Sequence, residues 1–70
     1  SRRENQEIKV ISYPGNTIIR LFVPQEIIIS DLQGRIVAQV QGVEGDNSIL
    51  LKQGIYLLRC GNHCQKFICR

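Results

Sequence analysis

Short runs of aliphatic residues alternate with polar turn residues along almost the whole chain. The runs cover residues 7–13, 17–23, 26–31, 35–41, 47–51, 54–60 and 64–70, and each is five to seven residues long. Their aliphatic residues are mostly isoleucine and valine, whose branched side chains fit a pleated strand better than a helix. No run has a helical period. The pattern predicts an all-β fold, a seven-stranded antiparallel β-sandwich.

Alternation within each strand predicts which side chains face the core. Since Arg20 has to face water, its neighbours on the same strand are expected to point inward, and the other strands are assigned in the same way. The predicted inward set is Ile19, Leu21, Val23, Ile27, Ile29, Ile49, Leu51, Tyr56, Leu58, Cys60, Phe67 and Cys69.

The last two strands form a hairpin whose register follows from its turn. A two-residue loop at Gly61-Asn62 pairs Cys60 with His63 and Tyr56 with Phe67. A three-residue loop would instead place Lys66 on the core face, where an unpaired ammonium is very costly. We therefore expect the two-residue loop, with Lys66 and Cys64 on the outer face.

The segment DLQGR, at residues 31–35, has the composition of a hairpin turn. Asp31 can accept hydrogen bonds from backbone N–H groups two or three residues further on, and Gly34 can adopt a positive φ at little cost. This predicts a three-residue loop with a bulge, after which Arg35 starts the next strand on the solvent side. Folding chemistry alone explains Asp31 and Gly34, whereas Arg35 is free for a recognition role.

The segment GIYLLRC, at residues 54–60, is a strand that begins with glycine. Gly54 indicates a tight entry or a close backbone approach. Tyr56 is expected to place its ring in the core and its hydroxyl on a partner. Core packing explains both residues without any further role.

Composition excludes several functions. The net charge of +3 is mild, the Lys and Arg residues are scattered, and nothing favours nucleic acid as a partner. No apolar run approaches the roughly 18 residues that span a bilayer. One histidine and no paired carboxylates predict a protein that is not an enzyme and has no cofactor. The three cysteines match no common zinc spacing, so no metal is expected, and they are predicted to be buried or half-buried.

Taken in order, these segments resemble the C-terminal sorting domain of cargo proteins of the type IX (Por) secretion system. The resemblance rests on three segments. They are an apolar strand with Asp-Leu-x-Gly-Arg (residues 29–37), Gly-Ile-Tyr with an apolar strand (54–59), and a basic, apolar last strand (66–70). The usual Tyr-Pro-Asn-Pro is only partly present at residues 13–16, and residues 51–53 lack the usual proline.

The resemblance implies an immunoglobulin-like sorting domain over residues 7–70, behind a flexible linker at residues 1–6 and an N-terminal cargo domain. Its partners would be an outer-membrane translocon and a sortase-like peptidase, and the cargo would pass through the periplasm of a Gram-negative bacterium to the cell surface or the medium. Recognition would involve Asp31, Gly34, Arg35, Gly54, Tyr56, Lys66 and Arg70.

Two further possibilities come from the physics of a small sandwich. A small sandwich with exposed Ile11, Ile28 or Val37 could pair edge strands or swap a strand and so form a homodimer. The alternative function is an immunoglobulin-like accessory module for binding or adhesion in a secreted or surface protein. Its aromatic platform for carbohydrate would be thin, because the chain has four aromatic residues and no tryptophan.

Overall fold

A computed structural model describes residues 8–70, and every described element is a β-strand. The strands are β1 (Lys9–Tyr13), β2 (Asn16–Leu21), β3 (Gln25–Asp31), β4 (Ile36–Gly42), β5 (Gly45–Ile49), β6 (Gly54–Cys60) and β7 (His63–Cys69). The prediction of seven strands and an all-β fold is confirmed. The linker predicted at residues 1–6 lies outside the described residues.

The strands form two antiparallel sheets that pack together as a β-sandwich. One sheet has the order β1-β2-β5, and the other has the order β4-β3-β6-β7. An immunoglobulin constant domain shares the neighbours 1-2-5 and 3-6-7 but adds its fourth strand to the first sheet. Here β4 pairs with β3 instead. The second sheet is therefore four strands wide, which gives it the larger outer face.

The core lies between the two sheets and consists almost entirely of aliphatic side chains. Ile19 and Leu21 come from the three-stranded sheet, and Ile27, Ile29 and Leu58 come from the four-stranded sheet; each is at most 1% exposed. Burying a side chain of this size contributes about 1.5–3 kcal/mol to folding. The remaining core members are Ile49, Leu51, Tyr56, Cys60, Phe67 and Cys69, with Ile8, Val10 and Ala38 packed against the cluster.

Eleven of the twelve predicted inward residues are buried, and the exception is Val23. Its side chain is 43% exposed because β2 ends at Leu21. The chain must then cross from one sheet to the other, and residues 22–24 make that crossing, so the alternation of β2 does not continue through them.

The hairpin of β6 and β7 has the predicted register. Cys60 pairs with His63, and Tyr56 pairs with Phe67, whose ring centroid lies 5.8 Å from that of Tyr56. Lys66 is exposed, as expected from the cost of burying its charge.

The three cysteines are free thiols in different environments. Cys60 and Cys69 are buried, but Cys64 is exposed, so the expectation that all three would be at least half-buried is wrong for Cys64. Cys60 and Cys64 face opposite sides of their hairpin, which is why they form no disulfide. Burial also raises the pKa of the Cys60 thiol, which keeps it protonated and unreactive.

Candidate functional site

The DLQGR segment folds as the predicted hairpin turn between β3 and β4. The Asp31 N–H donates to the Arg35 carbonyl at 2.9 Å, and the Gly34 N–H donates to the Asp31 carbonyl at 3.0 Å. These two bonds close a loop of three residues. Gly34 has a φ of 88°, which only glycine adopts without strain. A bulge follows, because Ile29 pairs with Ala38 while Ser30 pairs with Ile36.

The Asp31 carboxylate fixes this turn from within. Its Oδ1 accepts the N–H groups of Gln33 at 2.9 Å and Arg35 at 3.0 Å, and its Oδ2 accepts Nε of Arg35 at 3.0 Å. The backbone hydrogen bond from Arg35, assisted by that from Gln33 and by the guanidinium, holds the pKa of Asp31 below its ordinary value. Asp31 is therefore a structural anion that accepts three hydrogen bonds from its own turn.

Only one edge of the Arg35 guanidinium group is engaged in a hydrogen bond with a described residue. Its side chain is 75% exposed, and within residues 8–70 its Nε bond to Asp31 is its one side-chain hydrogen bond. The two terminal nitrogens remain available to a ligand. The structure therefore agrees with the assignment of Arg35 to the solvent side, at a defined position on a rigid turn.

A shallow groove of about 430 Å³ runs from this turn to the start of β6. It is lined by Asp31, Leu32, Gln33, Arg35, Gly54 and Ile55. Three of the predicted recognition residues thus meet at one place, although Gly54 is 19 residues from Arg35 in sequence. They meet because β3 and β6 are hydrogen-bonded neighbours, with Asp31 opposite Tyr56.

Tyr56 lies beneath this groove and not in it. Its ring is buried, and its hydroxyl donates to the Lys52 carbonyl at 2.8 Å, which supplies the expected partner. The ring also lies beside Gly54, where an added Cβ would be 3.5 Å from the Tyr56 hydroxyl oxygen. The space would hold a methyl group, so no close approach demands glycine there, but Gly54 has a φ of 159°, which residues with a side chain rarely adopt. Tyr56 supports the loop before β6.

Lys66 and Arg70 belong to a different part of the surface. Lys66 lies on the outer face of β7, opposite Leu57, and Arg70 follows directly after β7. Both residues are exposed, and neither lines the groove. The predicted residues therefore divide among the groove (Asp31, Arg35 and Gly54), the core (Tyr56) and the end of the chain at β7 (Lys66 and Arg70), and Gly34 lies in the turn outside the groove.

A second depression of about 180 Å³ lies on the outer face of the four-stranded sheet. It is lined by Ile28, Ser30, Gly34, Ile36, Leu57, Arg59 and Cys64. Of these, only Gly34 was assigned to recognition from the sequence. The signal was present, because Ile27-Ile28-Ile29 and Leu57-Leu58 are apolar on both faces of their strands. A strand with one solvated face shows alternation instead.

Residues 8–70 contain no group of three or more His, Cys, Asp or Glu side chains positioned to hold a metal ion. They also form no helix with the length and apolar character needed to cross a bilayer.

The geometry defines a small β-sandwich whose accessible features are the groove and the depression on the outer face of the four-stranded sheet. Comparison of the chain with known protein families, with curated proteins and with solved structures finds no match.

Proposed function

We propose that this chain is a sorting domain of the type IX secretion system, which directs an attached cargo across an outer membrane. The observation that carries the proposal is the groove at the β3–β4 turn. The two motifs on which the resemblance rests, at residues 31–35 and 54–56, are separate in sequence yet contribute Asp31, Arg35, Gly54 and Ile55 to one groove. Motifs selected for folding alone have no need to share an exposed surface.

The proposed mechanism is recognition of a rigid surface by the translocon. Asp31 fixes the turn, the turn positions Arg35, and the free guanidinium nitrogens offer a directional contact to a carboxylate. The edge strand β7 offers a second contact, because among the described strands it pairs only with β6 and can add a partner strand. A sortase-like peptidase would then separate the cargo from the domain.

A reporter fusion tests this proposal. The chain is fused behind a fluorescent protein that carries a periplasmic signal, in a bacterium with a type IX system, and the reporter on the cell surface and in the medium is quantified. The intact fusion should be exported, and Arg35→Ala should lower export at least about fivefold by removing a charge-assisted contact.

Arg20→Ala is the matched control for this experiment. Arg20 also makes an exposed ion pair, with Nε 2.8 Å from Oδ1 of Asp46, but it lies on the other sheet. Export should be unchanged in this variant. Equal export of the intact fusion and of Arg35→Ala, or retention of the intact fusion in the periplasm, would refute the proposal.

The contribution of β7 needs a substitution and not a deletion. Removing residues 65–70 would also remove Phe67 and Cys69 from the core and unfold the domain. Lys66→Glu reverses the charge of an exposed side chain and keeps the fold, so reduced export of a soluble, folded Lys66→Glu fusion would report on recognition.

An accessory binding module is the second candidate, and the opposite end of the sandwich favours it. Phe22 and Val23 before β3 and Val43 before β5 are 43%, 43% and 57% exposed. Their loops are neighbours because Leu21 pairs with Gly45. Export of the reporter distinguishes the two functions, since a binding module would leave it in the periplasm. Pairing of two copies through edge strands remains a prediction. Ile11 and Val37 are exposed on the edge strands β1 and β4, but the expectation for Ile28 is wrong, because Ile28 is half-buried on the inner strand β3.

A further inference from the structure

We propose that two copies of this chain associate through a step along one side of the sandwich. We define the step by the inward side of β4 and the free edge of β5. In the dimer, β4 of each copy pairs with β5 of the other copy, and the two β4 strands face each other. The proposal makes the predicted edge-strand pairing specific, and it does not depend on the sorting function, because association is measured with this chain alone.

The step arises because the two sheets differ in width. One sheet has three strands and the other has four. The Cys69 sulfur of β7 lies 3.5 Å from the Thr17 hydroxyl oxygen of β2 and 3.9 Å from the Tyr13 carbonyl oxygen of β1, so the sheets are aligned on the side of β1 and β7. Strands are about 4.8 Å apart in both sheets, and the extra strand must therefore project on the opposite side. The projecting strand is β4, and the nearest edge of the other sheet is β5.

Val40 shows that the inward side of β4 is not covered. It pairs with Ile27, which is 0% exposed, so both side chains point to the inside of the sandwich, yet Val40 is 39% exposed. Among the residues that pair on the inward side of the described strands, Val40 is the only exposed one. Gly42, at the end of β4, is buried against Leu21 and closes the step there. The remaining opening is a place for one more strand.

β4 also lacks the features that usually keep an edge strand from pairing. Charged residues, especially lysine, and proline protect such strands. The edge strands β1, β5 and β7 contain Lys9, Asp46 and Lys66, whereas the sequence of β4, IVAQVQG, contains neither a charge nor a proline. The bulge in β4 is confined to its first residues, and pairing with β3 is regular over residues 38–42. This regular part is as long as β5.

A second copy of the chain is the occupant that fits this step. The occupant must pair with the free edge of β5 and cover β4, so it must be an edge strand with an apolar inward side. β4 of a second copy meets both conditions, and a two-fold axis parallel to the strands places it there. The same axis places β4 of the first copy beside β5 of the second. Each sheet then continues over seven strands in the order β7-β6-β3-β4-β5-β2-β1.

Strand direction agrees with this arrangement. Gly42 at the end of β4 lies against Leu21, and Leu21 pairs with Gly45 at the start of β5, so the two strands run in opposite directions from one end of the sandwich. A rotation about an axis parallel to the strands preserves their directions. β4 is therefore antiparallel to β5 of the second copy, and both seven-stranded sheets are antiparallel throughout.

The two-fold axis also determines which residues meet. Rotation about it keeps each residue at its level along the strands, so Val40 faces Val40 of the second copy. Gly42 is expected beside Gly45 of the second copy, and Ala38 beside Ile49. Sheets that pack face to face lie about 10 Å apart, which leaves room for two facing valines. These valines would join the cores of the two copies.

The size of the step predicts moderate affinity. A stable interface takes about 800 Å² from each partner, roughly a sixth of this chain's surface of 4764 Å². The segment from β4 to β5 is about a fifth of the described residues and contributes only its free side. The interface is therefore at the lower end of the usual range, and we expect a dissociation constant between about 1 and 100 μM.

Analytical ultracentrifugation under reducing conditions tests the proposal. The parent chain should be mostly dimeric at about 1 mM and monomeric at about 0.1 μM. Val40→Lys brings two ammonium groups together at the axis and should raise the dissociation constant at least about tenfold. Ile11→Lys is the matched control, because Ile11 is 37% exposed on the edge strand β1, and it should leave association unchanged.

A cysteine at position 40 tests the two-fold axis without introducing a charge. Val40→Cys in a Cys64→Ser background replaces one small apolar side chain by another, and the remaining thiols, Cys60 and Cys69, are buried. Glutathione disulfide should oxidise the two facing thiols to an intermolecular disulfide and be reduced to glutathione. Ile11→Cys in the same background should stay without this cross-link.

Several outcomes would overturn the proposal. A parent chain that stays monomeric at about 1 mM would do so, and so would a dimer that Ile11→Lys weakens and Val40→Lys does not. A dimer that forms only on refolding would be an exchange of strands and not a pairing of folded copies. In hydrogen exchange, amides of β4 and β5 should gain protection as concentration rises, and a gain confined to β1 or β7 would place the interface on another edge.

Discussion

The Thr17 hydroxyl of β2 lies 3.5 Å from the Cys69 sulfur of β7, so a polar contact joins the two sheets inside the core. Both residues are fully buried. The thiol of Cys69 also donates a long hydrogen bond to the Leu51 carbonyl oxygen at 3.6 Å. These distances suit a large, weakly polar sulfur atom and are too long for good hydrogen bonds to oxygen.

Replacing Cys69 by serine should therefore destabilise the domain. The smaller, more polar hydroxyl would be buried with poorly placed partners, at a cost of about 1–3 kcal/mol. Urea denaturation under reducing conditions measures it. Cys64→Ser is the control, because an exposed substitution changes stability by about 0.5 kcal/mol or less. Equal midpoints for the two variants would contradict the packing described for Cys69.

Two glycines should respond differently to alanine. A Cβ on Gly42 would lie 2.5 Å from Cδ1 of Leu21 and 2.7 Å from the Gln25 carbonyl oxygen, so Gly42→Ala overpacks the core edge and should cost about 1–3 kcal/mol. A Cβ on Gly34 meets nothing, and only its positive φ opposes alanine, at about 1 kcal/mol. Thermal unfolding should therefore give Gly42→Ala a lower melting temperature than Gly34→Ala. The reverse order would show that Leu21 moves aside freely.

Removal of the Tyr56 hydroxyl should loosen the loop before β6. Tyr56→Phe keeps the buried ring and loses the bond to the Lys52 carbonyl, which is worth about 0.5–1.5 kcal/mol. Hydrogen exchange at Gln53 and Gly54 should accelerate. Tyr13→Phe is a matched control, because the Tyr13 side chain is 51% exposed. Unchanged exchange in Tyr56→Phe would mean that the groove does not depend on this anchor.

The Asp31 carboxylate should make the stability of the folded domain depend on pH. Its pKa is lowered in the folded chain, first by the backbone hydrogen bond from Arg35, so its contribution is complete above the unfolded pKa, near 4, and is lost as pH falls through the lower folded value. Asp46, whose pKa is lowered chiefly by the hydrogen bond from Arg20, acts in the same direction. The melting temperature should therefore fall below about pH 4.

Asp31→Asn isolates the part that belongs to the turn. The amide oxygen can still accept the backbone N–H groups, but the ion pair with Arg35 is gone. The variant should have a lower melting temperature than the parent at neutral pH, and its melting temperature should fall less on acidification. An identical pH dependence in parent and variant would assign the whole effect to other carboxylates.

Asn47 offers a fifth test, on a network that the sequence did not indicate. Its Oδ1 accepts the Val43 N–H at 2.8 Å, and its Nδ2 lies 3.1 Å from the Ile19 carbonyl oxygen and 2.9 Å from that of Val43. Asn47→Asp would point a carboxylate at these carbonyls and should cost about 1–3 kcal/mol at neutral pH, with partial recovery below about pH 4. Asn62→Asp, at an exposed turn, should be neutral. Comparable losses in both variants would rule out a specific network.

Much of the fold follows from local patterns that act independently. The register of β6 and β7 was predictable because the alternative register would bury Lys66. The turn at residues 31–35 was predictable because an aspartate followed three residues later by a glycine, as at Asp31 and Gly34, is typical of a hairpin turn. The bounds of β5 were not predictable from local patterns. The sequence indicated residues 47–51, but the strand covers Gly45–Ile49 because β2 pairs with Gly45 and Asp46. Long-range pairing overrides the weak strand preference of these residues.

The candidate site was predicted residue by residue but not as a surface. Arg35 and Gly54 were singled out separately, and only the pairing of β3 with β6 brings them to one groove. Strand order depends on which sheet each strand joins, and alternation within a strand carries no information about that choice. The depression between Ile28 and Leu57 was missed because the inward set alone satisfied the pattern.

The placement of the three sulfurs limits what oxidation can do to this protein. Cys60 and Cys69 sit at opposite ends of the β6–β7 hairpin and are sealed inside, and Cys64 points the other way. An oxidising compartment cannot cross-link the sandwich internally, so the chain must rely on its packing in any redox environment. With Cys64 as the one reachable sulfur among residues 8–70, this domain can form a disulfide to one other thiol at a time.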